Sequence, residues 1–291
     1  MCTAGDVNAT REHVEAGIRL YRFDAHQRQA LLYGGHDPSV CTQSVGAINE
    51  LMLGNMRRSQ ELSVAALELA GRISHVPSVA HAELYRAELC QILREAPETE
   101  ARAQRALELS SKVGISHYIA WSLMMLGWAM VTRGEKDAGI ARVEEGVGAM
   151  RATGIRYHIP HRLAVRAQAF AAAGHSTEAL AAIDEAVETV EATGELWYEP
   201  EVLRIKADIL QSLPRPDLIG ATACLDRALA NARARGAKFW ELRAAIALAS
   251  LLARQGRRET ARSILATALD GIGRETELPE VTQATSLLDQ L

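Results

Sequence analysis

One interval governs this chain. Glycines stand at Gly114, Gly154, Gly194 and Gly236, spaced 40, 40 and 42 residues apart. Small residues at Ala47, Ala87, Gly127, Ala167, Ala207 and Ala249 keep the same spacing. A third set does so again, as Gly139/Val143/Gly146, Ala179/Ile183/Ala186, Ala221/Leu225/Ala228 and Ala261/Leu265/Ala268. Three independent ladders with one shared period mark an array of repeated units, a signal to be sought before any other.

Each unit reads as two helices. The runs beginning at His117 and Arg156 are first helices, closed by Gly134 and Gly174, and the runs after them end at Gly154 and Gly194. Glycine just past a helix end suits the left-handed conformation found there. Small residues fall where helices cross, so backbones approach closely, and Val143, Ile183, Leu225 and Leu265 fill the contact. A single pair cannot bury its own apolar face, so neighbours stack into a solenoid. Ala-Thr-Gly at 152–154 and 192–194 is then the turn between units. The aromatic pairs Tyr157-His158 and Trp197-Tyr198 that follow are expected to pack on the preceding unit.

Composition agrees. The 291 residues are 48% hydrophobic and 23% charged, with three Phe and eight Pro, a balance that favours helix. A formal charge of −4 gives no footprint for nucleic acid. The densest basic patch, Arg233 and Arg235, reads as a helix end, where cations complement the dipole. No window is apolar enough to span a membrane, and the first residues lack the pattern of a secretory signal. Cys2, Cys41, Cys90 and Cys224 have no paired spacing, so reduced thiols in a cytoplasmic protein are expected.

The pattern Leu126-Gly127, Gly134 and Gly139, then Ala167, Gly174, Ala179 and Ala186, resembles the tetratricopeptide repeat. The match covers residues 38–270, about six units. It departs from that family in a period of about forty rather than thirty-four residues, and in degenerate Trp, Tyr and Pro positions. The resemblance implies an all-α, right-handed α-solenoid of antiparallel helix pairs. The stretch from Tyr33 to Val76 further resembles the opening of the C-terminal repeat region of bacterial proteins that join an adenylate or guanylate cyclase domain to an ATPase. Segments 127–154 and 197–210 resemble later parts of that region. The expected organisation is a partial N-terminal repeat at 1–36 lacking its first helix, about six repeats at 37–272, and a capping helix at 273–291. The first part is expected to leave Val14, Ile18 and Leu20 exposed. It fits a fragment of a longer polypeptide, a trimmed gene, or an open end that self-associates with another chain.

No nucleotide-binding loop, zinc-protease motif or nucleophile elbow occurs. His158 and His161 stand three apart at a helix start, a spacing able to offer two metal ligands. No third ligand accompanies them, and Pro160 explains the segment as a helix N-terminus. The sequence therefore points to no catalytic residue, no metal and no cofactor. What remains is a surface. In tetratricopeptide arrays the first helices line the concave face. Projection places there His81, Glu88 and Gln91; then Trp121, Met124 and Trp128; then His161 and Gln168; then Glu201, Arg204, Asp208 and Gln211; then Arg243 and Ser250. Aromatic anchors beside charges suit a groove for a peptide or partner helix. The competing reading makes Trp121 and Trp128 core and the Glu201–Arg204 pair merely an exposed helical pair. The expected function is a non-catalytic protein- or peptide-interaction scaffold of a cyclase/ATPase-type signalling protein, with upstream catalytic domains as candidate partners. The alternative is a ligand- or peptide-sensing regulatory module of a transcription activator.

Overall fold

The computed structural model describes residues 4–28, 30, 35–272 and 277–291. Cys2, part of the expected partial repeat and the first residues of the expected cap at 273–291 therefore lie outside the described residues. Among the described residues every regular element is helical. A lead-in of α1 (Val7–Leu20) and the single turn α2 (Phe23–His26) precedes six antiparallel pairs. These are α3 (Pro38–Met52) with α4 (Met56–Ile73), α5 (Val76–Ile92) with α6 (Ala96–Val113), and α7 (Ser116–Thr132) with α8 (Lys136–Thr153). They continue as α9 (Ile159–Ala173) with α10 (Ser176–Thr193), α11 (Glu199–Ser212) with α12 (Leu218–Arg235), and α13 (Lys238–Arg254) with α14 (Arg258–Ile272). The last helix, α15 (Pro279–Gln290), packs on α13 and α14. The fold is an all-α solenoid.

Local chemistry sets the boundaries. Asp6 and Asp37 cap α1 and α3 by accepting backbone N–H bonds, Asp37 from both Ser39 and Val40. Proline occupies the first turn of α3, α5, α6, α9, α11 and α15, where its missing N–H costs nothing. The second helices α6, α8, α10 and α12 stop at Gly114, Gly154, Gly194 and Gly236, with φ between 67° and 73°. The small-residue ladders are buried at the crossings, and the closest is α7 on α8. A Cβ at Gly127 would lie 2.5 Å from the carbonyl oxygen of Gly139.

The first helices form the inner layer, and that layer closes on itself. Besides stacking on its neighbours, α3 touches α13. The Arg243 guanidinium on α13 donates to the carbonyl of Ile92 at the end of α5, 2.6 Å away and 151 residues apart in the chain. At the opening edge, a Cβ on Gly54 would meet Ile272 at 2.7 Å. The helix α1 lies along α3, its Val7 carbonyl accepting from the Asn49 amide at 2.9 Å. This corrects the expectation of an exposed apolar stripe on α1. Val14 is buried against Gly46 and Ile18 is half-buried, leaving Leu20 exposed.

Candidate functional site

Because the inner layer closes, most side chains expected on an open groove are interior. His81, Glu88, Gln91, Trp121, Met124, Trp128, His161, Glu201, Arg204 and Arg243 are all buried. This corrects the groove as drawn from sequence: six inner helices converge and their side chains fill the axis. Only Gln168, Asp208, Gln211 and Ser250 reach solvent, all toward the C-terminal ends of the inner helices. Met124 leaves the set altogether, packing with Val143, Val147 and Met150 between α7 and α8.

The others are brought together as a polar strip along the axis. At one end, His81 Nδ1 shares the Tyr118 hydroxyl at 2.8 Å with His36 Nδ1 at 3.1 Å. Next come Glu88, His158, His161 and Arg162. Glu88 Oε2 lies 3.6 Å from His158 Nδ1 and 4.0 Å from His161 Nδ1, and neither Glu88 oxygen accepts a hydrogen bond among the described residues. Burial pushes the Glu88 pKa up against the pull of His161 and Arg162. Burial likewise lowers His158 to about 3 and His161 to about 4, so both rings are neutral. Trp121 caps the group, its ring under the Arg162 guanidinium at 4.8 Å. His161 Nε2 then meets Gln91 Oε1 at 3.0 Å; Gln91 Nε2 and Trp128 Nε1 both donate to Gln168 Oε1, at 3.0 and 3.1 Å.

The strip ends at an arginine-lined mouth. Glu201 holds Arg204 through two 2.8 Å bonds and accepts from Arg243 at 3.1 Å. Burial alone would raise the Glu201 pKa, but Arg204 and Arg243 outweigh it and hold it at about 2. Arg204 also pairs with Asp208, Arg243 with Glu280, and Arg254 with the Gln211 side chain. Two adjoining clefts of about 230 and 370 Å3 open here, and Arg94 lines both.

Arg94 is the residue that sequence reasoning missed. It follows α5 in the left-handed conformation, φ 64°. The corresponding turns carry Gly54, Gly134 and Gly174, each exactly one or more periods of forty away. Its guanidinium makes no hydrogen bond or ion pair among the described residues. Burial and the neighbouring Arg243 and Arg204 lower its pKa, against Glu201 and Glu280. The signal was in the sequence: an arginine where the ladder at 134 and 174 has glycine. A larger cleft of about 540 Å3 lies between α1 and the α3–α4 turn, but there Glu50 clamps Arg11 through two 2.8 Å bonds.

No protein-family model matches the sequence. Over 144 residues, 49% of the chain, it is 26% identical to an uncharacterized protein of Rhizobium meliloti (strain 1021), of which the match spans 14%. The fold is similar to that of a Rap protein complexed with Competence and Sporulation Factor, at TM-score 0.61 and 11% identity, covering 92% of this chain and 77% of that one. It is also similar to yeast Tom70, at TM-score 0.56 and 15% identity, covering 98% and 59%. These likenesses define the class by its fold: a tetratricopeptide-like helical repeat array. Among the described residues no helix is long and apolar enough to cross a membrane.

Proposed function

We propose that the chain is a non-catalytic interaction scaffold that takes an acidic segment of a peptide or partner protein at the arginine-lined mouth of its axis. The observation that carries this reading is Arg94, a cation with no hydrogen-bond or ion-pair partner among the described residues, held in a backbone conformation that favours glycine. Strain of this kind persists where the surrounding structure over-determines it, and it clusters at ligand clamps. Four guanidiniums (Arg94, Arg204, Arg243 and Arg254) line the first cleft against two carboxylates, Asp208 and Glu280. Glu201 beneath them is already shared between Arg204 and Arg243. An arriving carboxylate gains a charge-assisted, planar partner. The complex of the similarly folded Rap protein with Competence and Sporulation Factor supports a peptide as one form of that ligand.

The resemblance of residues 33–76, 127–154 and 197–210 to cyclase/ATPase proteins supports a parent of that signalling class, acting in the cytoplasm. The match to a small fraction of a much longer relative is in keeping with a module of a larger protein.

The test is fluorescence anisotropy with two labelled peptides of equal length, one rich in Glu and one with Lys in those places. The acidic peptide is expected to bind, with affinity falling as salt rises. Arg94→Gly should weaken it by about tenfold, equivalent to about 1.4 kcal/mol, without lowering the melting temperature. Equal binding of both peptides, or full affinity in Arg94→Gly, would sink the mouth as the binding site.

A further inference from the structure

At the opposite end of the polar strip from the mouth, a second cluster has nothing to do with anion capture. Cys41 lies on α3 and His81 on α5, one forty-residue period apart, so stacking places them side by side. His36 comes from the turn just before α3. One ligand atom from each of His36, Cys41 and His81 lies within 4.8 Å of the other two.

The hydrogen bonds around the cluster sort the ring nitrogens. Both Nδ1 atoms, of His81 and His36, face the single hydroxyl of Tyr118, at 2.8 and 3.1 Å. A phenol oxygen has two lone pairs and can accept from both Nδ1–H groups. That tautomer leaves a lone pair on each Nε2. His81 is 3% exposed, and its Nε2 is a buried nitrogen with no hydrogen-bond partner among the described residues. A buried acceptor without a partner is costly, and a ligand on that nitrogen removes the cost. A second group fixing Nδ1 while Nε2 stays open is the outer-shell arrangement of metal-binding histidines.

We propose that His36, Cys41 and His81 form a three-ligand site for a thiophilic d-block cation of the Zn(II) or Cu(I) type, oriented by Tyr118. Two imidazoles and a thiolate match the ligand preferences of both ions. Hard cations such as Mg(II) and Ca(II) take oxygen ligands and are excluded by this donor set. Cys41 binds as thiolate: the S–H proton passes to solvent as the S–metal bond forms, so affinity rises with pH. The His36 and His81 rings are stacked, centroids 3.9 Å apart and planes 20° apart. Convergence of both Nε2 lone pairs on one ion requires the His36 ring to turn out of that stack and release its Nδ1 from Tyr118, so that His81 is the imidazole Tyr118 orients in the loaded site. His36 lies outside any helix, in the turn before α3, so this rotation leaves the inner helices in place. Three protein ligands leave a fourth position open on Zn(II).

The probe is Co(II) added to the full chain at pH 8, followed by displacement with Zn(II), and in parallel a competition for Cu(I) against a chromogenic chelator. One equivalent of Co(II) should give a sulfur-to-cobalt charge-transfer band in the near ultraviolet, lost in Cys41→Ser. Tyr118→Phe should weaken binding by about 10–100-fold, as outer-shell changes do, while keeping the band. His36→Asn, which alters a residue outside the helices, should abolish the one-equivalent break. Retention of Cu(I) without a Co(II) band identifies the ion as monovalent. Absence of both, or a band of equal strength in Cys41→Ser, overturns the site. The melting temperature of each variant without metal is measured alongside. Zn(II) should raise that of the parent chain and leave those of Cys41→Ser and His36→Asn unchanged.

Discussion

Arg94 sits against a backbone preference. A residue with a Cβ in the left-handed region costs roughly 1–2 kcal/mol, and glycine occupies the matching turns at φ 88°, 100° and 92°. Arg94→Gly removes that cost, while the freer unfolded chain takes back about 0.5–1 kcal/mol. The expected net effect is a stabilisation of up to about 1 kcal/mol, read from urea unfolding. A fall in stability would mean that Arg94 contributes to the folded state through its contacts and is not strained for binding. The sequence already pointed to Glu201, Arg204, Asp208, Gln211 and Arg243 as neighbours on the inner helices, because period and helical spacing are enough to align them. Their burial was not legible. Whether a side chain at one of these positions meets water depends on how far the opposite inner helix stands away. Arg94 was hidden for another reason, since a turn residue belongs to no helical stripe.

At the scale of the element, crossing distance decides what a substitution does. The three ladders marked the crossings from sequence alone, because a position that must be small in every unit is small for one steric reason. Gly127→Ala places its Cβ 2.5 Å from the Gly139 carbonyl oxygen and 2.7 Å from the Val143 nitrogen, both backbone atoms that cannot rotate away. The helices α7 and α8 must separate, and the expected cost is about 3 kcal/mol, at the upper end of overpacking. Gly148, on the same helix α8, meets nothing within 4 Å. Gly148→Ala is therefore expected to stabilise by about 0.5–1 kcal/mol through helix propensity. Urea unfolding of both variants checks the contrast. Two destabilised variants would show that α8 is packed more widely than its contacts indicate.

At the scale of the whole molecule, the closed inner layer separates this chain from an open solenoid. In an open array each repeat touches only its neighbours, but here Arg243 reaches the Ile92 carbonyl and α3 touches α13. No single repeat encodes such closure; it is the sum of small rotations between successive pairs, so the ladders predicted stacking and left the curvature open. Closure gives the interior histidines their chemistry. His158 and His161, depressed by burial to about 3 and about 4, hold no proton in the folded state at neutral pH, and the buried His81 is shifted the same way. In the unfolded chain each has its ordinary value of about 6.5. Their contribution to stability is therefore intact above pH 6.5. It is lost as pH falls from 6.5 toward 4, by about 1 kcal/mol per pH unit for each of His158 and His161, with His81 acting in the same direction. Glu88 works in the opposite sense, since its raised pKa lets the folded state take up a proton before the unfolded one does. One carboxyl offsets at most one imidazole, so the loss dominates. The unfolding free energy at pH 5 is expected to lie at least about 2 kcal/mol below that at pH 7.5, measured from urea midpoints at both values. The paired substitution of His158 and His161 by Gln should flatten the profile even though it lowers stability at neutral pH. A flat profile in the parent chain would mean that water reaches the imidazoles, and that the inner layer opens in solution wide enough to restore the concave groove.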